Sequence, residues 1–374
     1  MSAFHVVYRY IYIWGNAKER TQKMDDSHTI SNISEYIEII NSIPKQEARI
    51  EEDQFDNLRL LSYAKDISRD LAQYFDVLFA NKKQADERQV SFDDCEYSHA
   101  LKGPRYKYYY RGHYKSTYKM CPSVFRDNYW QYEDYFYHRI MVERAEYFRN
   151  TSHLDKLVTM QHYSCPTRLL DVTSNPLVAL YFACKNYGCD RCNQSNEGVV
   201  LVFPVLTRDI SYADSDRALM LSCLPRFSSA DKDNLLQFAN AHLASKRFPQ
   251  IKGGSRYNED VVERFYHEIT TEIASFKREI DPIDLLQPLF VQPNKTNGRI
   301  IKQDGAFIIN GLSKNRQEAE QKLDALTYTR IYVHNQQHVL KELEMIGIHE
   351  ASLFPEVDKM ADYLKESVQS YTIA

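Results

Sequence analysis

The stretch from Gln161 to Ala183 constrains this chain more than any other. It sets Gln161-His162-Tyr163, then Pro166-Thr167-Arg168-Leu169-Leu170-Asp171, then Thr173-Ser174-Asn175-Pro176, directly before the apolar run Leu177 to Ala183. Asn175-Pro176 reads as a helix start, with Asn as N-cap and Pro at the first helical position, where its missing N–H costs nothing. Leu177, Leu180, Tyr181 and Cys184 then share one helix face. Asp171, Thr173 and Ser174 fall on the approach to that helix N-terminus, whose free N–H groups and dipole favour anions. A second stretch, Tyr109-Tyr110-Arg111-Gly112-His113, has the same mixed character. Tyr106 to Tyr110 reads as a strand that delivers Arg111-Gly112, and glycine there lets a ligand or another backbone come close. Arg, His and Asp among apolar neighbours are costly unless paired or used, so these runs mark a site.

The remaining composition mostly excludes. A net charge of -4 argues against a nucleic-acid partner held by bulk charge. No apolar run reaches the ~18 residues of a membrane span. Phe4 to Trp14 is interrupted by His5 and Arg9, precedes no cleavage-site pattern, and reads as a β-strand. The seven cysteines are odd in number and irregularly spaced, which suits a reducing cytoplasm rather than a disulfide framework. Cys184, Cys189 and Cys192 form C-x4-C-x2-C without a second CxxC pair, so they read as one core-helix thiol and two loop thiols, with no metal. A Walker loop, a G-x-S-x-G elbow and a kinase signature are all absent.

Three parts are expected: residues 1–100 as an N-terminal strand and helical cover, 101–360 as the main domain, and 361–374 as a tail. Asn32 with Glu35 three residues on is a capping box. Ile33, Tyr36, Ile37 and Ile40 then build an apolar face that Pro44 ends. Residues 52–82 continue at helical spacing. In the main domain, helices are expected around Glu133 to Phe148, over Leu154 to Tyr163, through much of 210–285, and from Val339 to a stop at Gly347. Strands are expected at Val199 to Val205, Ala306 to Ile309 and Tyr328 to Val333. Strands scattered among helix clusters predict an α+β fold: a central mixed or antiparallel sheet with several surrounding helices.

Tyr110-Arg111-Gly112, Pro122-Ser123-Val124-Phe125-Arg126 and the block from Gln161 to Ala183 resemble the FRG domain, a family named for its aromatic-Arg-Gly motif. Gln303-Asp304-Gly305-Ala306-Phe307 and the tail from Gly347-Ile348 through Leu353-Phe354-Pro355 look like its later motifs. The resemblance spans roughly residues 100–360; Ser164 stands where the family usually has Gly, and Val172 where it often has Trp. The family's bacterial and phage-related settings imply a conflict or phage-defence effector. A remoter likeness is to ADP-ribosyltransferases, and it implies such a core and a site acting on NAD or a related nucleotide. Arg111 would hold the phosphate and ribose side, and Thr173 and Ser174 would orient the nicotinamide ribose. Where that superfamily carries a Glu, this chain has Gln303, which bonds a hydroxyl but offers no negative charge to a developing cation. Either another carboxylate serves, Asp171, Glu143 or Glu268, or the site binds without this chemistry.

The resemblance therefore implies Arg111, His162, Asp171 and Gln303 as catalytic residues, and Tyr110, Gly112, Tyr163, Arg168, Thr173 and Ser174 as ligand contacts. The two motifs would form two walls of one site, with NAD as substrate and no resident cofactor. The alternatives are a non-catalytic nucleotide or phospho-ligand module, or a protein that meets a partner through its N-terminal helices. Plainer roles stay open for single residues. Arg168 pairs with Asp171, Arg111 ties a strand to a carboxylate such as Asp171, and Thr173 and Ser174 merely cap.

Overall fold

A computed structural model describes residues 28–43, 106–185, 197–241, 256–278 and 280–372. The chain divides into two compact units, Met1–Tyr106 and Lys107–Ala374. In the first, strand β1 (His28–Ile30) precedes helix α1 over 33–43. Asn32 caps the helix as read, accepting from the Glu35 N–H at 2.9 Å, while Glu35 reaches one residue farther back than a capping box and accepts from the Ser31 N–H at 2.7 Å. Of the expected apolar face, Tyr36 is buried and Ile37 is exposed. The strand expected at Phe4 to Trp14, the helices of 52–82 and Pro44 lie outside the described residues.

The second unit begins with β2 (Tyr106–His113), a kinked 3-10 segment (Ser123–Tyr132), α2 (Glu133–Glu143), α3 (His153–His162), β3 (Leu169–Thr173) and α4 (Pro176–Cys184). It continues with β4 (Gly198–Leu206), β5 (Ser211–Tyr212), α5 (Asp216–Ser222), α6 (Ser229–Ala241), α7 (Arg256–Glu272), α8 (Pro282–Leu286) and β6 (Leu289–Gln292). It closes with α9 (Gly298–Lys302), β7 (Gly305–Ile309), α10 (Arg316–Asp324), β8 (Thr329–Val333), α11 (Gln336–Met345), α12 (Glu350–Leu353) and α13 (Val357–Thr372). Within this unit the strands order as β8-β4-β2-β3-β7-β6-β5. β5 and β6 run parallel, whereas β2–β3, β3–β7, β6–β7 and β4–β8 are antiparallel. The fold is α+β, a mixed sheet among helices. Among the described residues no helix is long and apolar enough to cross a membrane.

Side chains alternate between the faces of a strand, so the registers sort the site residues. Leu169, Phe307, Ile309, Leu289 and Val291 pack on one face with residues of α2, α3 and α5 to α8. Tyr109, Leu170, Val172, Leu201, Phe203, Phe290, Ala306 and Ile308 pack on the other. Asp171 sits opposite Phe307, and Thr173 opposite Gly305 and Tyr110, which puts all three on the first face. Arg111 and His113 follow Tyr109 onto the second.

Asn175 caps α4 as expected, its side chain accepting from the Leu177 N–H at 3.0 Å. Gly112 is where β2 meets this helix. A Cβ there would lie 2.0 Å from the Ala179 carbonyl oxygen and 2.6 Å from the Ala183 nitrogen. The close approach anticipated at Gly112 is thus made by the helix backbone.

Candidate functional site

Arg111 lies where β2 and β3 part. The two strands share one registered pair, Tyr110 with Thr173. One residue on, the Arg111 side chain takes the place of a ladder bond, its Nη1 donating to the Asp171 backbone carbonyl at 2.5 Å. Its Nε donates to His113 Nε2 at 2.9 Å. Arginine has only donors, so that nitrogen of His113 accepts and the ring proton resides on Nδ1. Burial pushes the His113 pKa down to about 3, and the charges of Arg111, Arg126 and Arg330 add to that against the opposing Tyr118 backbone. The imidazole is therefore neutral. Burial also lowers Arg111, to about 10, with Asp171 opposing and Arg126 reinforcing, so the guanidinium keeps its charge at neutral pH.

Arg126 and Arg330 complete the cluster. Arg126 is exposed and anchored by Nε and Nη2, which donate to the Cys121 carbonyl at 3.1 and 2.8 Å. The chain then turns sharply through Asp127 (φ 51°) and Asn128 (φ 61°), a left-handed conformation that Asp and Asn tolerate best among residues with a Cβ. Arg330 lies on β8 opposite Leu201, hence on the second face, and donates to the Tyr328 hydroxyl at 3.1 Å. Among the described residues, Arg111, Arg126 and Arg330 have no carboxylate within ion-pair distance; their hydrogen bonds go to carbonyls, the Tyr328 and Tyr332 hydroxyls and an imidazole. The neighbouring Glu320 is taken by Arg316 at 2.6 Å and Lys119 at 3.7 Å.

Arg168 contrasts sharply. It is 2% exposed and bonds Glu133 through both ends of its fork, Nε to Oε1 at 2.9 Å and Nη2 to Oε2 at 2.5 Å, while Nη1 donates to the Asn310 carbonyl at 3.0 Å. Lys232 adds a third charge, 2.7 Å from Glu133 Oε2. Burial alone would raise the Glu133 pKa; the two cations outweigh it and hold it at about 2. Arg168 thus pairs with Glu133 and not with Asp171, because its side chain enters the core while that of Asp171 is exposed. The position of Arg168 as a ligand contact has no opening to a ligand in this arrangement.

The other expected site residues gather on the first face. Gln161 accepts from the Thr167 hydroxyl and donates to Asp171 Oδ2 at 3.0 Å. The Thr173 hydroxyl donates to the Gln303 carbonyl at 2.6 Å and accepts from the Asn175 N–H at 2.9 Å. Ser174 contacts the Asp304 carbonyl at 3.4 Å, and the Gln303 amide donates to the Leu353 carbonyl at 3.2 Å. His162 Nε2 is 3.6 Å from Glu356 Oε1, an oxygen also 3.8 Å from Arg299 Nε. Burial, then Arg299, lowers the His162 pKa against Glu356. Tyr163 is exposed, edge-on to Tyr147 at 5.5 Å, and Tyr110 is buried.

The two motifs meet through the Asp171 backbone carbonyl, which accepts from Arg111, and the Asp171 carboxylate charge also acts on the guanidinium. Sequence reading missed His113, Arg126 and Arg330 as site members. The i, i+2 spacing from Arg111 signalled the first, and the Pro122 to Arg126 motif held the second. Nothing local signalled Arg330. Among the described residues, no group of three or more His, Cys, Asp or Glu is placed to hold a metal; Cys189 and Cys192 lie outside them. Cys121, Cys165, Cys184 and Cys223 are free thiols.

Residues 106–191 match the sequence model of the FRG domain. No curated protein and no solved structure matches the chain.

Proposed function

We propose that this chain, in which residues 106–191 are an FRG domain, binds the phosphate of a nucleotide or another phosphorylated ligand at Arg111. One observation carries the reading: Arg111 is a charged, partly exposed guanidinium without a carboxylate partner, beside a neutral histidine. A guanidinium donates strong charge-assisted hydrogen bonds to phosphate oxygens. His113 accepts from Nε and the Asp171 carbonyl accepts from Nη1, which fixes the rotamer and leaves the other terminal nitrogen for a ligand. Isothermal titration of the full chain with inorganic phosphate and with AMP tests this. At least a tenfold loss in Arg111→Ala is expected; no binding by the wild-type protein overturns it. A cytoplasmic setting accords with the odd cysteine set, and a role in bacterial conflict or phage defence follows only from the family resemblance.

A second reading is transfer of ADP-ribose from NAD. Its support is the contact between Arg111 and Asp171, whose carboxylate charge acts on the guanidinium. Against it stand the engagement of the Thr173 hydroxyl and the Gln303 amide with backbone carbonyls. Nicotinamide release from NAD, lost in both Arg111→Ala and Asp171→Asn, would favour transfer over binding alone.

A further inference from the structure

Glu356, the residue before α13, is held by charge and not by hydrogen bonds. Its Oε1 lies 3.6 Å from His162 Nε2 and 3.8 Å from Arg299 Nε, within ion-pair reach but beyond the roughly 2.7–3.2 Å of an N–H···O bond. Its other oxygen, Oε2, is buried without a hydrogen-bond partner, as are Arg299 Nε and His162 Nδ1. One carboxylate oxygen thus stands between two nitrogens and satisfies neither, while the second oxygen is idle.

The frame around it is firm. The Arg299 guanidinium lies over the Phe354 ring, 4.5 Å from its centroid, a contact that uses none of its N–H groups. The Gln303 amide donates to the Leu353 carbonyl at 3.2 Å and ties the end of α9 to α12. The neighbouring carboxylates are answered elsewhere: Glu350 by Lys185 at 3.1 Å and Lys359 at 3.6 Å, Asp304 by Lys295 at 3.7 Å, and Asp171 by the Gln161 amide at 3.0 Å and the charge of Arg111. Asp358 is exposed. His162 adds no charge at neutral pH, because burial and then Arg299 lower its pKa against Glu356. Among the described residues, Glu356 is therefore the one carboxylate within ion-pair distance of Arg299. It can leave by rotating its own side chain, since α13 is anchored separately through Lys359 and through Tyr363, stacked on His349 at 4.6 Å. The side chains of His162, Arg299 and Glu356 are 18, 31 and 27% exposed, so solvent reaches the cluster.

We propose that Glu356 is a tethered stand-in for a phosphate group, which His162 and Arg299 bind when the Glu356 side chain turns out. A phosphate monoester offers three acceptor oxygens, so separate oxygens can meet His162 Nε2 and Arg299 Nε, as one carboxylate oxygen does not. The ligand class is a phosphate group, with inorganic phosphate as its probe. The inference concerns a set of residues other than Arg111 and does not rest on the Arg111 reading.

The test is isothermal titration of the full chain with inorganic phosphate and with acetate at matched ionic strength, since exposed charges are screened by salt. It is made in the Arg111→Ala chain, where the other proposed phosphate contact is gone. Glu356→Gln, added to that chain, removes the competing charge and keeps the shape of the side chain. It is expected to tighten phosphate binding at least fivefold, with acetate at least tenfold weaker than phosphate. Arg299→Ala and the uncharged change His162→Ala should each cancel the gain. Lys302→Ala, which removes an exposed charge from the same helix, should leave it intact. No phosphate binding after Glu356→Gln overturns the inference. So does a gain that survives Arg299→Ala, a gain lost equally in Lys302→Ala, or acetate binding as tightly as phosphate. If Arg111→Ala fails to fold, the same comparisons in the otherwise wild-type chain decide the matter, because each reads the change that Glu356→Gln brings. The Arg111 reading stands or falls separately, on the wild-type chain against Arg111→Ala.

Discussion

Arg111 and Arg168 belong to the same domain, on adjacent strands or their ends, yet they meet opposite surroundings. Arg168 is sealed in the core and answered by a carboxylate, with Lys232 sharing that carboxylate. Arg111 is partly exposed and answered by neutral acceptors only. The difference separates a charge that organises the fold from one available to a ligand. Removing one member of a buried pair exposes the remaining charges to the full desolvation cost. Removing Arg111 leaves the buried His113 Nε2 and one carbonyl without their donor, but no charge unpaired.

Arg168→Ala should therefore have the largest effect on stability, about 3–5 kcal/mol, because it leaves Glu133 and Lys232 buried without their bidentate partner. Urea denaturation measures it, and a loss below about 1 kcal/mol would show that the pair is not sealed. Gly112→Ala comes next, at about 3 kcal/mol by the same measurement. Its new methyl group would press on the Ala179 carbonyl, a backbone atom that moves only with the whole of α4. An undisturbed variant would mean that β2 and α4 lie farther apart than described.

Acid should act through the histidines. His113 and His153 both have pKa values pushed down to about 3, His153 by burial first and then by Lys156 and Arg226. A histidine depressed in the folded state is protonated more readily when unfolded, so stability falls as pH drops below the ordinary histidine value of about 6.5 and goes on falling toward about 3. Between pH 7 and pH 5 each should remove about 2 kcal/mol. Glu133, held at about 2, adds its own loss only below the usual carboxylate range. Denaturation curves flat from pH 7 to 5 would mean that neither ring is buried in its neutral form. The smallest stability effect belongs to Arg111→Ala, about 1.5 kcal/mol, since two neutral acceptors lose a charged donor while no charge is left unpaired. The same variant should show the greatest loss of phosphate binding. If Arg111→Ala unfolds the chain while Arg168→Ala does not, the comparison between the two arginines is inverted.

Local features were readable where the cause is local. Asn32 with Glu35 and Asn175 with Pro176 cap helices as their types require, since an Asn oxygen needs only the next few N–H groups. Gly347 ends α11 with φ +84°, a conformation open to glycine. The strand Leu169–Thr173 went unread because Arg168 and Asp171 mask its alternation, and β6 is a short apolar run without periodicity. The partner of Arg168 was not legible, because Asp171, three residues away, was the visible candidate, whereas Glu133 is 35 residues away. The N-terminal strand and the helices of 52–82 lie outside the described residues.

The sequence by itself determined the α+β character, the helix caps and the presence of charged groups within apolar runs, because propensity, capping and periodicity act over a few residues. Only the tertiary structure decided which charge is neutralised and which is open. That depends on strand register and on partners brought together from distant segments: Glu133 and Lys232 to Arg168, and His113, Arg126 and Arg330 to the neighbourhood of Arg111. A carboxylate neutralises an arginine at a few ångströms in space, wherever it stands along the chain.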